Sequence, residues 1–343
     1  MNPTLKKLFS HIQREYVLIA PTQKSRGLFL STVTDLKKIV FSAQLTHNTF
    51  KDFLFPQHQT LYRFEGETIT EPDHREYPKQ ALFGIQIVDL RALGLYNQVF
   101  RHDAVYQAIK QRTLVIGYLK GPVSEKSLGI FKERLEENTL EHLEFDIFVL
   151  ETGADSYLYA GSKTGRAVIT EAGLTEYENS VYVGPIKESG LDPVMVANYR
   201  KVKNSFERHR AVWEELGKRC LACGKCSLVC PTCFCFTTNH EFGQKKKSGQ
   251  RQRHWETCFY SDFSKVAGGH IFLNTIAKRI YFWYEHKFVR IPDEYSVPGC
   301  VGCGRCIAVC PVGIDLRKTL AALTPAPAGG KVQPSFKKNP SKP

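Results

Sequence analysis

The sequence predicts an α/β, or α+β, N-terminal domain followed by a mostly helical C-terminal module. Three observations predict it. Short apolar runs of strand character alternate with amphipathic segments over roughly residues 1–190. All 11 cysteines lie between Cys220 and Cys310. The first 219 residues contain none, so cysteine chemistry belongs to the C-terminal module alone.

In chain order, Leu5, Leu8 and Ile12 share one face of a predicted helix over residues 1–15. Tyr16–Ile19, Leu28–Leu30 and Lys38–Phe41 read as strands. Phe83–Val88 reads as a buried strand leading into a helix over Arg91–Phe100. Thr113–Ile116, Phe145–Leu150 and Tyr157–Tyr159 are further strands, and 128–143 a charged surface helix. Gly161-Ser-Lys-Thr-Gly165 lacks the spacing of a phosphate-binding loop and reads as a surface turn. Tyr199, Val202, Phe206, Trp213 and Leu216 recur at helical spacing over 193–216, with Gly217 as a stop. These readings divide the chain into a partner-docking domain (1–192), a linker helix (193–217), a cysteine domain (218–322) and a disordered basic tail (323–343).

Hydrophobic residues make up 42% and charged residues 24%, which suits a globular protein. The N-terminus carries no apolar segment like a signal peptide, and no stretch approaches the ~20 apolar residues of a membrane span. A cytoplasmic, reducing location is expected, where clustered cysteines bind metal more often than they form disulfides. The net charge of +13 is partly concentrated in Lys245, Lys246, Lys247, Arg251 and Arg253, read as a solvated basic loop. It is not assigned to nucleic acid, because positive charge near thiolates also compensates a metal site.

The chemistry lies in two runs. Cys220-Leu-Ala-Cys-Gly-Lys-Cys-Ser-Leu-Val-Cys-Pro231 and Cys300-Val-Gly-Cys-Gly-Arg-Cys-Ile-Ala-Val-Cys-Pro311 share the spacing C-x2-C-x2-C-x3-C-P. That spacing holds two [4Fe–4S] clusters in bacterial ferredoxins, the fourth cysteine of each run serving the other cluster. The expected sets are Cys220, Cys223, Cys226 and Cys310 for one cluster, and Cys300, Cys303, Cys306 and Cys230 for the other. Zinc ribbons use separated C-x2-C pairs, which leaves the third cysteine and the C-x3-C-P of both runs without a role. Residues 232–299 interrupt what is otherwise a ferredoxin-like unit.

Cys233, Cys235 and Cys258 remain. They read as buried structural thiols, as ligands of a third metal centre with His240, His254 or His270, or as a redox dithiol at Cys233 and Cys235. The aromatics of Ala277–Ile291 read as a dry shell around the clusters, with a helix on a membrane surface as the alternative.

The strings CLACGKCSLVCPTCFC, HWETC, VAGGH (266–270), HKF (286–288) and CVGCGRC resemble an iron–sulfur dicluster family. It comprises the iron–sulfur component of anaerobic sulfite reductase, and the beta subunit of cytoplasmic nickel–iron (sulf)hydrogenases. The resemblance covers the C-terminal module and extends weakly to Gly84–Leu93 and Phe145–Leu150. It implies no catalytic residue, but a relay that connects a catalytic metalloenzyme subunit, of hydrogenase or sulfite reductase type, to a flavin- and nicotinamide-binding one. Relatives read G-x-R-P-C-D where this chain has Gly84-Ile-Gln-Ile-Val-Asp89, and they carry more cysteines downstream. The resemblance therefore implies a shorter relay here.

Overall fold

The computed structural model describes residues 1–325, except 74, 76, 123–128, 132–137, 154, 186–192 and 244–246. The N-terminal strands are β1 (Val17–Lys24), β2 (Gly27–Thr32), β3 (His58–Glu65), β4 (Thr68–Thr70), β5 (Gln80–Ile85), β6 (Thr113–Lys120), β7 (Ile147–Thr152), β8 (Asp155–Ala160) and β9 (Glu178–Asn179). Seven of them form one mixed sheet in the order β2-β1-β5-β6-β7-β8-β9. Its centre, β1-β5-β6-β7, is parallel, while β2 and β8 pair antiparallel.

Both faces of this sheet are covered, as parallel strands require. Strand alternation sends Ala81, Phe83, Leu114 and Ile116 to one face, under the helices Pro3–Glu15 and Lys163–Glu171. Leu82, Ile85, Val115 and Leu119 go to the other, under the helices Ile87–Val99 and Ala104–Gln111. That second face also takes up Val301, Phe234 and Cys303, so the cysteine module packs directly on it.

Several local expectations change. Lys38–Phe41 is not a strand; Phe41 instead packs over Phe9, Phe83 and Tyr118, on the face of the two central strands β5 and β6. Residues 87 and 88 start a helix rather than finish a strand, because both states are fully buried there and read equally apolar. Gly161–Gly165 is no free turn. Ser162 caps the helix Lys163–Glu171 through the Gly165 N–H at 3.0 Å, and a Cβ at Gly165 would meet the Asp146 carbonyl oxygen at 1.8 Å. Of the helix expected over 128–143, residues 128 and 132–137 lie outside the described residues; among the rest, Thr139–His142 is a single 3₁₀ turn. The expected helix over 193–216 is three helices, Pro193–Val202, Ser205–Arg208 and Arg210–Arg219, broken where Asn204 turns left-handed (φ 54°). Gly217 lies inside the last of them and permits close contact with Ala277, whose Cβ would stand 3.0 Å from an added methyl.

The C-terminal module is less helical than expected. Residues between the cysteine runs form a hairpin, β10 (Phe236–Phe242) and β11 (Ser248–Trp255). β11 pairs with β3, giving a second, antiparallel sheet β10-β11-β3-β4 built from both parts of the chain. The expected basic loop is largely this hairpin. Lys245 and Lys246 lie outside the described residues, Arg251 bonds His240 Nδ1, and Arg253 is buried. The Arg253 guanidinium lies over Phe55 and ion-pairs with Asp103 at 2.5 Å. Of the expected tail, only 323–325 is described. Among the described residues no helix is long and apolar enough to cross a membrane.

A second buried pair ties the module to the sheet. Arg305, inside the second cysteine run, forks onto Asp89 of the helix Ile87–Val99 at 2.6 and 2.8 Å, and its Nε donates to the Thr46 carbonyl. Both side chains are at most 5% exposed. Asp89→Ala leaves a buried guanidinium unpaired and should cost about 3–5 kcal/mol. Denaturant unfolding measures it, and the double variant Asp89→Ala/Arg305→Met should recover much of the loss.

Candidate metal centre

Each cysteine run follows the same backbone course. Cys220 closes the helix Arg210–Arg219, and Ala222 (φ 50°) and Gly224 (φ 71°) then turn left-handed into the short helix Lys225–Leu228. In the second run Gly302 (φ 68°) and Gly304 (φ 76°) do the same before the helix Arg305–Ala308. These turns bend the first three thiols of a run inward and send the fourth onward. Gly224 is required for room as well, since a Cβ there would lie 2.6 Å from the Thr257 methyl.

The structure brings Cys310 to the first three thiols of the other run. Cys220, Cys223, Cys226 and Cys310 line one pocket, which Cys306 also borders, together with Leu221, Phe259, Ile280 and Leu316. Cys230 influences Cys300, Cys303 and Cys306 electrostatically, and Cys226 of its own run as well. The aromatics of Ala277–Ile291 are divided between helix packing and this pocket: Trp283 and Tyr284 line it. They do not form a surface helix, since both are buried.

The donor set fits iron–sulfur clusters. It is all sulfur and lies in an apolar shell. The buried indole N–H of Trp283, at the pocket of Cys220, has no acceptor among the described residues. Backbone N–H groups already point at sulfur, Ala222 at Cys220 and Ile314 at Cys310, both at 3.3 Å. Burial pushes the Cys226 and Cys300 thiols up to about 12, so a metal must displace their protons to bind.

Cys230 differs. The Lys287 ammonium lies 3.1 Å from its sulfur, 3.0 Å from Thr232 Oγ1 and 3.4 Å from the Gly299 carbonyl oxygen. Its thiol is held well below the usual range, by its contact with Cys233 first and then by Lys287 and Thr232 against the opposing effect of burial. Lys287 sits on a π-helical stretch, His286–Arg290, between two α-helical segments. Such an insertion rotates the residues after it relative to a regular helix.

Of the three extra cysteines, Cys233 and Cys258 are buried and Cys235 is half-buried. Cys233 is set against Cys230, and Cys235 against Cys258, so the expected Cys233–Cys235 dithiol is not paired with itself. None of the expected histidines reaches them. His254 pairs with His58 at 2.6 Å, His240 with Arg251, and His270 is exposed beside Phe272. Among the described residues no group of three His, Cys, Asp or Glu is arranged for a single metal ion.

Sequence reasoning missed two buried residues here. Lys51 donates to the Leu228 carbonyl at 2.7 Å and lies over Trp255 at 3.9 Å. Tyr96 donates to the Cys233 carbonyl at 2.6 Å. The signal for Lys51 was a charge inside the apolar stretch Phe50–Phe55.

His286 is a titratable group beside the site, packed on Phe234 and Phe282. Burial, then Lys287 and Arg290, lowers it to about 4. The unfolded chain therefore binds the proton first, and stability falls as pH drops from about 6.5 towards about 4. Unfolding free energies measured across that window should flatten in His286→Phe.

A family model described as a 4Fe-4S dicluster domain matches residues 219–314. Sulfhydrogenase 2 subunit beta of Pyrococcus furiosus is 25% identical over 291 residues, 79% of this chain and 81% of the relative. No solved structure matches. The dicluster match and the similarity over 79% of the chain agree with the resemblance read from the sequence: the chain is similar to an iron–sulfur beta subunit.

Proposed function

We propose that the chain is the electron-relay subunit of a hydrogenase-type complex, with no catalytic site of its own. Clusters would supply one-electron transfer when bound. Cys220, Cys223, Cys226 and Cys310 hold one, and Cys300, Cys303, Cys306 and Cys230 the other. Phe259, Ile280 and Trp283 cover one side of the first, whose Cys223 stays exposed. Arg305–Asp89 and the shared sheet fix both relative to the N-terminal part. The observation that supports this reading is that Cys310, from the second run, lines the same pocket as Cys220, Cys223 and Cys226 of the first.

The similarity to a sulfhydrogenase beta subunit supports a multisubunit complex; the partners we propose, a flavin- and nicotinamide-binding subunit on one side and a catalytic metalloenzyme subunit on the other, in the cytoplasm, are those the sequence resemblance implies. A nickel–iron partner is favoured over a siroheme one because the relative is a sulfhydrogenase subunit. No third metal centre is included, since no histidine joins Cys233, Cys235 and Cys258.

Anaerobically purified protein should contain about eight irons and as much acid-labile sulfide, from two four-iron clusters. Cys310→Ser and Cys230→Ser should each disturb a different half of that content, read by paramagnetic resonance of the reduced protein. Iron near zero in the native protein overturns the reading.

A further inference from the structure

The two sets of four thiols are alike in sequence and unlike in charge. Lys287 is 2% exposed, and among the described ion pairs it has no carboxylate partner. What its ammonium touches is a cysteine sulfur, a hydroxyl and a carbonyl. Lys51 is 3% exposed and approaches the same stretch of chain from the opposite part of the fold, at the carbonyls of Leu228 and Cys233 (2.7 and 3.4 Å). Asp52, next to Lys51, is half-buried; its carboxyl bonds Asn48 and also counters the Lys51 charge. The third buried cation at this end, Arg305, is neutralised by Asp89. Lys287 is therefore the charge that faces Cys230 without a carboxylate, and Lys51, partly offset, adds to it.

Around Cys220, Cys223, Cys226 and Cys310 the contacts are apolar rings, backbone amides and other thiols. The cation at that pocket, Lys225, is exposed, and water and salt screen it. Cys223 is also exposed. Solvent stabilises added negative charge there, but less directly than an ammonium fixed on a ligand sulfur in a dry interior.

Reduction adds one negative charge to a cluster, and its potential depends on net charge and on hydrogen bonds to sulfur. We propose that Lys287, reinforced by Lys51, makes the cluster held by Cys230, Cys300, Cys303 and Cys306 the higher-potential member of the pair. An electron entering the chain then comes to rest there. With clusters bound, the exchange would be of one electron: the cluster held by Cys220, Cys223, Cys226 and Cys310 would give it up, the one held with Cys230 would take it, and no proton or leaving group would move. This rests on the two-cluster reading above. Lys287 is a positioning and charge-setting residue, and the π-helical stretch is what aims it.

The test is a potentiometric titration of the full-length protein, followed by paramagnetic resonance. The native protein should reduce in two separate steps. In Lys287→Gln, which keeps a donor and loses the charge, the upper step should fall by about 59 mV or more while the lower step holds. That is a tenfold change in the electron-exchange constant. Lys287→Arg should retain the separation. Lys51→Gln, whose cation touches carbonyls and a ring but no sulfur, should lower the same upper step by less. Unchanged steps in Lys287→Gln with full iron overturn the proposal. So does a single step in the native protein, which decides the matter even where the variant loses iron. Absence of iron from the native protein instead overturns the two-cluster reading itself.

Discussion

The Lys287 ammonium is the point where the two halves of the cysteine module meet. It binds the last cysteine of the first run, the threonine two residues beyond it, and the carbonyl of Gly299 just before the second run begins. Thr232 reinforces the junction by donating to the same carbonyl at 2.8 Å. A charge this deep is costly unless an anion or several acceptors surround it. The local geometry supplies both, and the chain on either side is fixed as a result. Gly299 itself leaves no room for a side chain, because a Cβ would approach the Lys287 carbonyl oxygen to 2.4 Å.

From that junction outward, buried cations recur at each seam. Arg305 joins the second run to the helix Ile87–Val99, Arg253 joins the hairpin to Asp103, and Lys51 joins the short helix Lys51–Leu54 to the first run. Such groups contribute little net stability compared with apolar packing, and removing one partner is expensive. Their contribution is specificity: each accepts one geometry. Aromatic rings fill the space between them, with Tyr96 touching Phe50, Phe55, Phe100 and Phe234.

Much of the candidate site was legible in the sequence. The spacing of the two runs named eight thiols and their exchange, because a C-x2-C-x2-C-x3-C-P segment has few ways to wrap a cluster. Short apolar runs also marked most of the parallel strands. What stayed hidden was set by contacts between distant segments. β3 carries the mixed pattern of a strand whose partner lies nearly two hundred positions away, so nothing local announced its pairing with β11. The break at Asn204 is a single left-handed residue inside a helical periodicity. Lys51 and Lys287 look like surface charges until the carbonyls and sulfur that receive them are in place. Cys233, Cys235 and Cys258 could be recognised as unusual, but which thiol faces which depends on the hairpin between them.

The shared sheet has a consequence for how the molecule is made. β11 emerges from the ribosome long after β3, so β3 and β4 wait as a two-stranded ribbon, which is marginal in water on its own. The thiols follow the same schedule. When the first run has been synthesised, it offers three sulfurs of one set and one of the other; the set with Cys230 closes only at Cys306, and the other only at Cys310. The N-terminal sheet, which pairs only with itself, can be complete by then. Assembly therefore runs in one direction: a finished scaffold receives the hairpin, the hairpin positions the second run, and the metal sites close last.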